Sequence, residues 1–187
     1  MNNPIRIVGV AGSLRKGSYN RAALRAAQQL VPAGATLDII EIDGIPPFNQ
    51  DDEASPPPSV AQFKAKILNA DAVLFVTPEY NYSVPGVLKN AIDWAARPYG
   101  QSAWKGKPAA IMGASPGVIG TARAQYHLRQ TMVFLDMPVV NQPEVMIGSA
   151  AKRFDEQGEL TDETSRKLIA QLLEALVALT RKMSAPS

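Results

Sequence analysis

Short apolar, β-branched runs alternate with helical patterns along this chain, and that alternation leaves few folds open. Ile5–Val10 reads as a strand and Tyr19–Leu30 as a helix. Thr36–Ile42 and Val60–Leu68 repeat the pair, followed by Asp71–Thr77 with Pro85–Ala96, then Lys107–Gly113 with Thr121–Leu135. Pro138–Val145 reads as a last strand, and a final helix starts near Thr161. Ala72–Val76 is apolar throughout, as a strand covered on both faces requires. Five strands and five helices in alternation predict a three-layer α/β domain, residues 1–187, with a parallel sheet. The lack of a sixth strand favours the flavodoxin-like order 2-1-3-4-5 over the classical dinucleotide fold.

Composition narrows the chemistry. The chain has 187 residues, 46% apolar and 19% charged, which suits an ordinary globular domain. The formal charge is +2 and its cations are scattered, so no nucleic-acid partner is expected. No apolar run is long enough to span a membrane, and a cytoplasmic location is expected. Cysteine is absent and His127 is the only histidine, which leaves no thiol chemistry and no multi-histidine metal site. Redox chemistry in such a chain has to come from a cofactor.

Three loops follow strands at the edge where open α/β sheets bind ligands. The first, Gly12–Asn20, carries Ser13, Arg15, Lys16, Ser18 and Asn20 into a helix start. Free N–H groups and the helix dipole favour an anion there, and Arg15 and Lys16 make sense beside that positive end only with an anion present. Ser13, Ser18 and the Asn20 amide would add directional hydrogen bonds. Neither a Walker A loop nor a G-x-G-x-x-G fingerprint can be aligned on Gly9, Gly12 and Gly17. The second loop, Pro78-Glu79-Tyr80-Asn81-Tyr82-Ser83, offers backbone groups and an aromatic wall suited to a flat heteroaromatic ring. Glu79 has no neighbouring carboxylate or histidine to make it a general base. The third, Ser115–Thr121, has glycines that permit close approach of a ligand. A phosphate site beside a flat-ring site points to a flavin.

The blocks G-S-L-R-K-G-S-Y-N, P-E-Y-N-Y-S-V-P-G-x-L-K-N-A-I-D-W and S-x-G-V-I-G-x-A-R-x-Q-Y-H-L-R-Q resemble the NADPH-dependent FMN reductase family. Within it they are most similar to bacterial quinone reductases also described as chromate or azo reductases. The likeness covers roughly residues 5–148 and implies non-covalent FMN in a homodimer or homotetramer. Carried over by motif, Ser13, Arg15, Ser18, Tyr19 and Asn20 would hold the phosphate. Pro78, Glu79, Tyr80 and Asn81 would line the isoalloxazine ring, and Ser115 and Gly117 would close its ribityl side. Pro116 departs from some relatives. The resemblance also implies ping-pong hydride transfer from NADPH or NADH, through FMN, to a quinone or another oxidant, with no catalytic side chain and no metal.

Two other activities are compatible with these residues. One is supply of free reduced FMN to a partner monooxygenase; the other is a flavodoxin-type electron carrier, although such carriers are usually strongly acidic. A regulatory flavoprotein without turnover is a weaker fourth. Loop Pro47–Ser59 and segment Tyr99–Lys105, which includes Trp104, are candidates for the substrate entrance, and Lys89, Asn90, Asp93 and Trp94 for an exposed helix face or a subunit contact. His127 is expected on a helix running away from the site, in a structural role with Arg123 and Tyr126 at a subunit contact.

Overall fold

A computed structural model describes residues 3–184. Five strands, β1 (Ile5–Ala11), β2 (Ala35–Ile40), β3 (Ala72–Val76), β4 (Ala109–Ala114) and β5 (Val145–Ile147), form one parallel sheet. Their order is β2-β1-β3-β4-β5, the flavodoxin-like order that the lack of a sixth strand favours. Side chains of β3 divide between the two faces: Ala72, Leu74 and Val76 enter one core layer, Val73 and Phe75 the other. That division is the period-2 geometry of a strand buried on both sides.

Helices α1 (Tyr19–Gln29) and α5 (Glu163–Ser184) cover the first face. Ala22, Ala23, Ala26 and Ala27 give α1 a thin apolar stripe, which lets it lie close to β1. Gly9 completes this approach, because a Cβ there would stand 2.4 Å from Leu24 Cδ1. Helices α2 (Pro58–Leu68), α3 (Gly86–Ala95) and α4 (Ala122–Phe134) cover the second face through Phe63, Ile67, Leu88, Ile92, Leu128 and Met132.

The last strand falls later than the sequence pattern suggests. Residues 138–140 touch β4 only briefly, with Ala109 N–H donating to Pro138 O and Val140 N–H to Ala109 O. Pro138 and Pro143 lack the N–H groups that a continuous ladder needs. The regular pairing therefore resumes only at Val145. Helix α5 starts two residues beyond the expected Thr161, where Asp162 accepts the Ser165 N–H at 2.8 Å.

Candidate functional site

The turn from β1 into α1 is held open by its own hydroxyls. Ser18 occupies the N-cap in extended conformation and accepts from Asn20 N–H at 3.2 Å and Arg21 N–H at 3.4 Å. Ser13 accepts from Arg15 N–H at 3.3 Å. Both hydroxyls are buried, and each still has an O–H proton to donate outward. Arg15 and Lys16 are exposed at this helix start, and among the described residues neither forms an ion pair. No acidic residue occupies the first turn of α1. Gly12 sits where a Cβ would be 2.9 Å from Leu88 Cδ2 and 3.3 Å from Pro78 Cδ, so the first and second strand-end loops touch.

Asn20 does not offer its side chain to this turn, contrary to the sequence reading. Its amide nitrogen donates to Ala114 O at 2.8 Å, and its amide oxygen accepts from Ala114 N–H at 2.8 Å. The side chain clamps α1 to the end of β4, which leaves only backbone groups at this position. Tyr19 likewise turns its ring away, against Phe154 at 5.1 Å, with the Arg15 guanidinium 5.7 Å from the ring centroid.

The second loop is a two-residue turn. Tyr80 N–H donates to Ser83 O and Ser83 N–H to Tyr80 O, at 3.1 and 3.0 Å, with Asn81 (φ 50°) and Tyr82 (φ 65°) left-handed between them. This pair of positive φ angles makes a type I′ hairpin turn. Tyr80 and Tyr82 stand out from the surface. Glu79 turns the other way. Its carboxylate accepts from Arg123 N–H at 3.1 Å and Ala124 N–H at 3.2 Å, and pairs with the Arg123 guanidinium at 2.5 Å. Thr121, at the N-cap of α4, makes no side-chain cap of its own and is left-handed (φ 72°). Glu79 thus supplies from a distant loop the cap that α4 lacks. No sequence motif announces this partnership, although a carboxylate with no acid–base partner was a hint.

The third loop is fixed against the end of β3 and the segment after β5. A Cβ on Gly113 would stand 2.1 Å from Thr121 Oγ1 and 2.3 Å from Thr77 O, so only glycine lets β3, β4 and the α4 start meet. Ser115 Oγ accepts from Gly117 N–H at 3.1 Å, and Ser149 N–H and Ala150 N–H donate to Gly117 O and Ser115 O. Val118 and Ile119 stay exposed at its tip. The result is one shallow edge with an anion-ready helix start, an aromatic turn and a glycine loop side by side.

A family model described as NADPH-dependent FMN reductase matches residues 5–152. An NAD(P)H-dependent FMN reductase from Pseudomonas aeruginosa is 56% identical over 184 residues, 98% of this chain and 99% of that protein.

The chain belongs to the NADPH-dependent FMN reductase family.

It is also 52% identical over 165 residues to a quinone reductase of Pseudomonas putida, covering 88% of this chain and 89% of that one. Among solved structures, FerB from Paracoccus denitrificans, a flavoenzyme NAD(P)H:(acceptor) oxidoreductase, superposes with a TM-score of 0.87. It shares 41% identity and covers 96% of this chain and 98% of its own. Membership makes this FMN reductase relative an oxidoreductase.

Three sequence expectations about this reductase change in the structure. Trp104 is fully buried beside Phe75 and Phe63, with Nε1–H donating to Ile92 O at 2.9 Å, so it belongs to the core and not to an entrance. The stretch that includes Pro47–Ser59 is a strap laid along α3. Asn90 Nδ2 and Trp94 Nε1 both donate to Pro46 O at 2.8 Å, Phe48 N–H donates to Asn90 Oδ1 at 2.7 Å, and Glu53 pairs with Arg97. The strap buries Trp94, leaving Lys89 and its ion-pair partner Asp93 on the outer face. Finally, His127 does not run clear of the site: its Nδ1 lies 3.0 Å from Ser83 Oγ in the second loop. Helix α4 starts at the strand-end edge, so a residue in its second turn still reaches that edge.

Proposed function

We propose that this protein is an FMN-dependent NAD(P)H:quinone oxidoreductase, with ping-pong exchange of nicotinamide and acceptor at one site. The observation that carries the reading is the α1 start. Buried Ser13 and Ser18, free backbone N–H groups and the unpaired cations Arg15 and Lys16 converge there without a neighbouring acid. That donor set fits a terminal phosphate of about two negative charges. The turn carrying Tyr80 and Asn81 stands next to it across the Gly12–Pro78 contact, where a flat ring attached to that phosphate would lie.

In this reading Ser13, Arg15 and Ser18 hold the phosphate with side chains and Tyr19 with its backbone N–H, while Asn20, bonded to Ser18 Oγ and Ala114, fixes the turn that carries them. Pro78, Glu79, Tyr80 and Asn81 line the ring through backbone groups, and Ser115 and Gly117 close the ribityl side. When bound, FMN supplies the hydride-accepting and hydride-donating centre. The chain's own task is orientation: it presents one ring face between the two exposed tyrosines and the tip of the third loop, so donor and acceptor use it in turn. No side chain on this edge is assigned a proton transfer.

The names of the relatives support quinones as acceptors. Chromate and azo compounds, expected from the resemblance, are further acceptors for the same exposed ring. Val133 and Phe134, 80% and 76% exposed on α4, support association of the chain into a dimer or tetramer. A cytoplasmic location fits a protein with no helix, among the described residues, long and apolar enough to cross a membrane.

The name of the Pseudomonas aeruginosa relative supports a second reading, release of reduced FMN to another enzyme. A visible spectrum of gently purified protein, followed by anaerobic NADPH and then a benzoquinone, tests both. Flavin bands that survive gel filtration, bleach with NADPH and return with quinone are expected. Bands lost on gel filtration favour FMN release, and failure to bind added FMN refutes the assignment.

A further inference from the structure

Helix α4 grips the second loop at three points that differ in kind. Glu79, just before the turn, is fixed by two backbone N–H groups and by the Arg123 guanidinium. Tyr82, at the tip, lies under the same guanidinium, 3.6 Å from its ring centroid. Ser83, which closes the turn, is tied through its hydroxyl to His127 Nδ1 at 3.0 Å. Arg123 and His127 are one helical turn apart and share a face.

The turn needs outside support to keep its place. Its two internal hydrogen bonds set its shape, but a lone hairpin is marginal in water. Asparagine tolerates the left-handed region at position 81; a tyrosine at 82 is held there against its preference. Tyr80 and Tyr82 are 52% and 65% exposed, so burial does little to hold the tip. On the incoming side Glu79 fastens the loop. On the outgoing side the Ser83 side chain has, among the described residues, a single bond, and His127 makes it.

We propose that His127, the only histidine of the chain, is a positioning residue that seats the Tyr80–Ser83 turn on α4 and thereby fixes the aromatic wall of the site. The proposal rests on the reading of that turn as the wall beside the flavin. Imidazole suits the task, because Nδ1 pairs with the Ser83 hydroxyl in either tautomer, as acceptor or as donor. Loss of one such neutral bond supports a shift of about two- to tenfold in the equilibrium that seats the turn.

The test compares His127→Leu, His127→Asn and Ser83→Ala with the wild type, all as purified. Asparagine places a polar atom near the position of Nδ1, whereas leucine fills space without one. Two readouts are taken: amide hydrogen exchange at Tyr80 and Ser83, and steady-state kinetics with NADPH and a benzoquinone. His127→Leu is expected to speed exchange at both amides, and to raise the quinone KM, by about two- to tenfold. It should leave kcat within about twofold, and His127→Asn should recover most of both effects although asparagine is the poorer helix former. Ser83→Ala should match His127→Leu and add nothing on top of it. Unchanged exchange in His127→Leu, an asparagine variant no better than leucine, or full additivity with Ser83→Ala would overturn the proposal. A wild type that neither binds FMN nor reduces quinone would refute the proposed function instead, and the exchange comparison would still decide the role of His127.

Discussion

Removing the Glu79 carboxylate should weaken the whole fold, because this side chain caps a helix that has no cap of its own. In Glu79→Ala two N–H groups at the α4 start, Arg123 and Ala124, lose their acceptor, and Thr121 cannot replace it. A lost N-cap costs about 1 kcal/mol. The ion pair with Arg123 goes as well. The Glu79 side chain is 7% exposed, but that of Arg123 is 38% exposed and regains water once released. This half of the pair is therefore discounted to about 1 kcal/mol instead of the several expected for a fully buried pair. The sum, about 2 kcal/mol, corresponds to a drop in Tm of about 4–8 °C for a chain of this size. Glu79→Gln keeps an acceptor for the helix and should lose about half as much. Urea unfolding of flavin-free protein, followed by far-ultraviolet circular dichroism, measures both. Glu144→Ala, which removes the exposed bond from Tyr126 at 2.9 Å, serves as a control expected to stay within about 0.5 kcal/mol. If Glu79→Ala is no more destabilising than that control, the capping argument fails.

Other outcomes follow from the same geometry. Arg15→Ala should weaken FMN binding about ten- to a hundredfold, with little change in unfolding, and an unchanged dissociation constant would remove Arg15 from the phosphate site. Trp104→Ala should cost about 3–5 kcal/mol through the cavity it leaves beside Phe75, and a variant of wild-type stability with altered Michaelis constants would return Trp104 to the entrance. Hydrogen bonds from the Ser165 hydroxyl and N–H, together with Arg153, hold the Asp162 carboxyl below the usual carboxylate range. Its folded-state pKa is depressed, so the stability it adds is present above about pH 4 and is lost as pH falls through the lower folded value. Asp162→Asn should flatten the acid limb of a stability-against-pH curve, and an identical limb in both proteins would contradict this.

The parallel sheet and the helices that cover it were legible in the sequence, because they follow from period; the strand order was favoured only by the lack of a sixth strand. An all-apolar run such as Ala72–Val76 can be buried on both sides only as a central strand, and the stripe Leu88, Ala91, Ile92, Ala95 can be buried only as one side of a helix. Right-handed crossovers then carry the three strand-end loops to one edge without further information. What individual side chains do on that edge was decided elsewhere. Asn20 meets its partner Ala114 across 94 positions, and Glu79 meets the α4 start across 44. Local spacing says only that Asn20 begins a helix and Glu79 sits in a loop; it does not say that both are spent on joining elements. Trp94 and Trp104 differ in the same way from what local pattern suggests: one is covered by a strap whose Pro46 lies 48 residues earlier, the other is closed in by Phe63 and Phe75. The late start of β5 depends on which backbone groups β4 leaves available once prolines have interrupted the ladder. Periodicity is a property of neighbours along the chain, whereas capping, clamping and burial are properties of neighbours in space, and only the folded chain brings the second kind together.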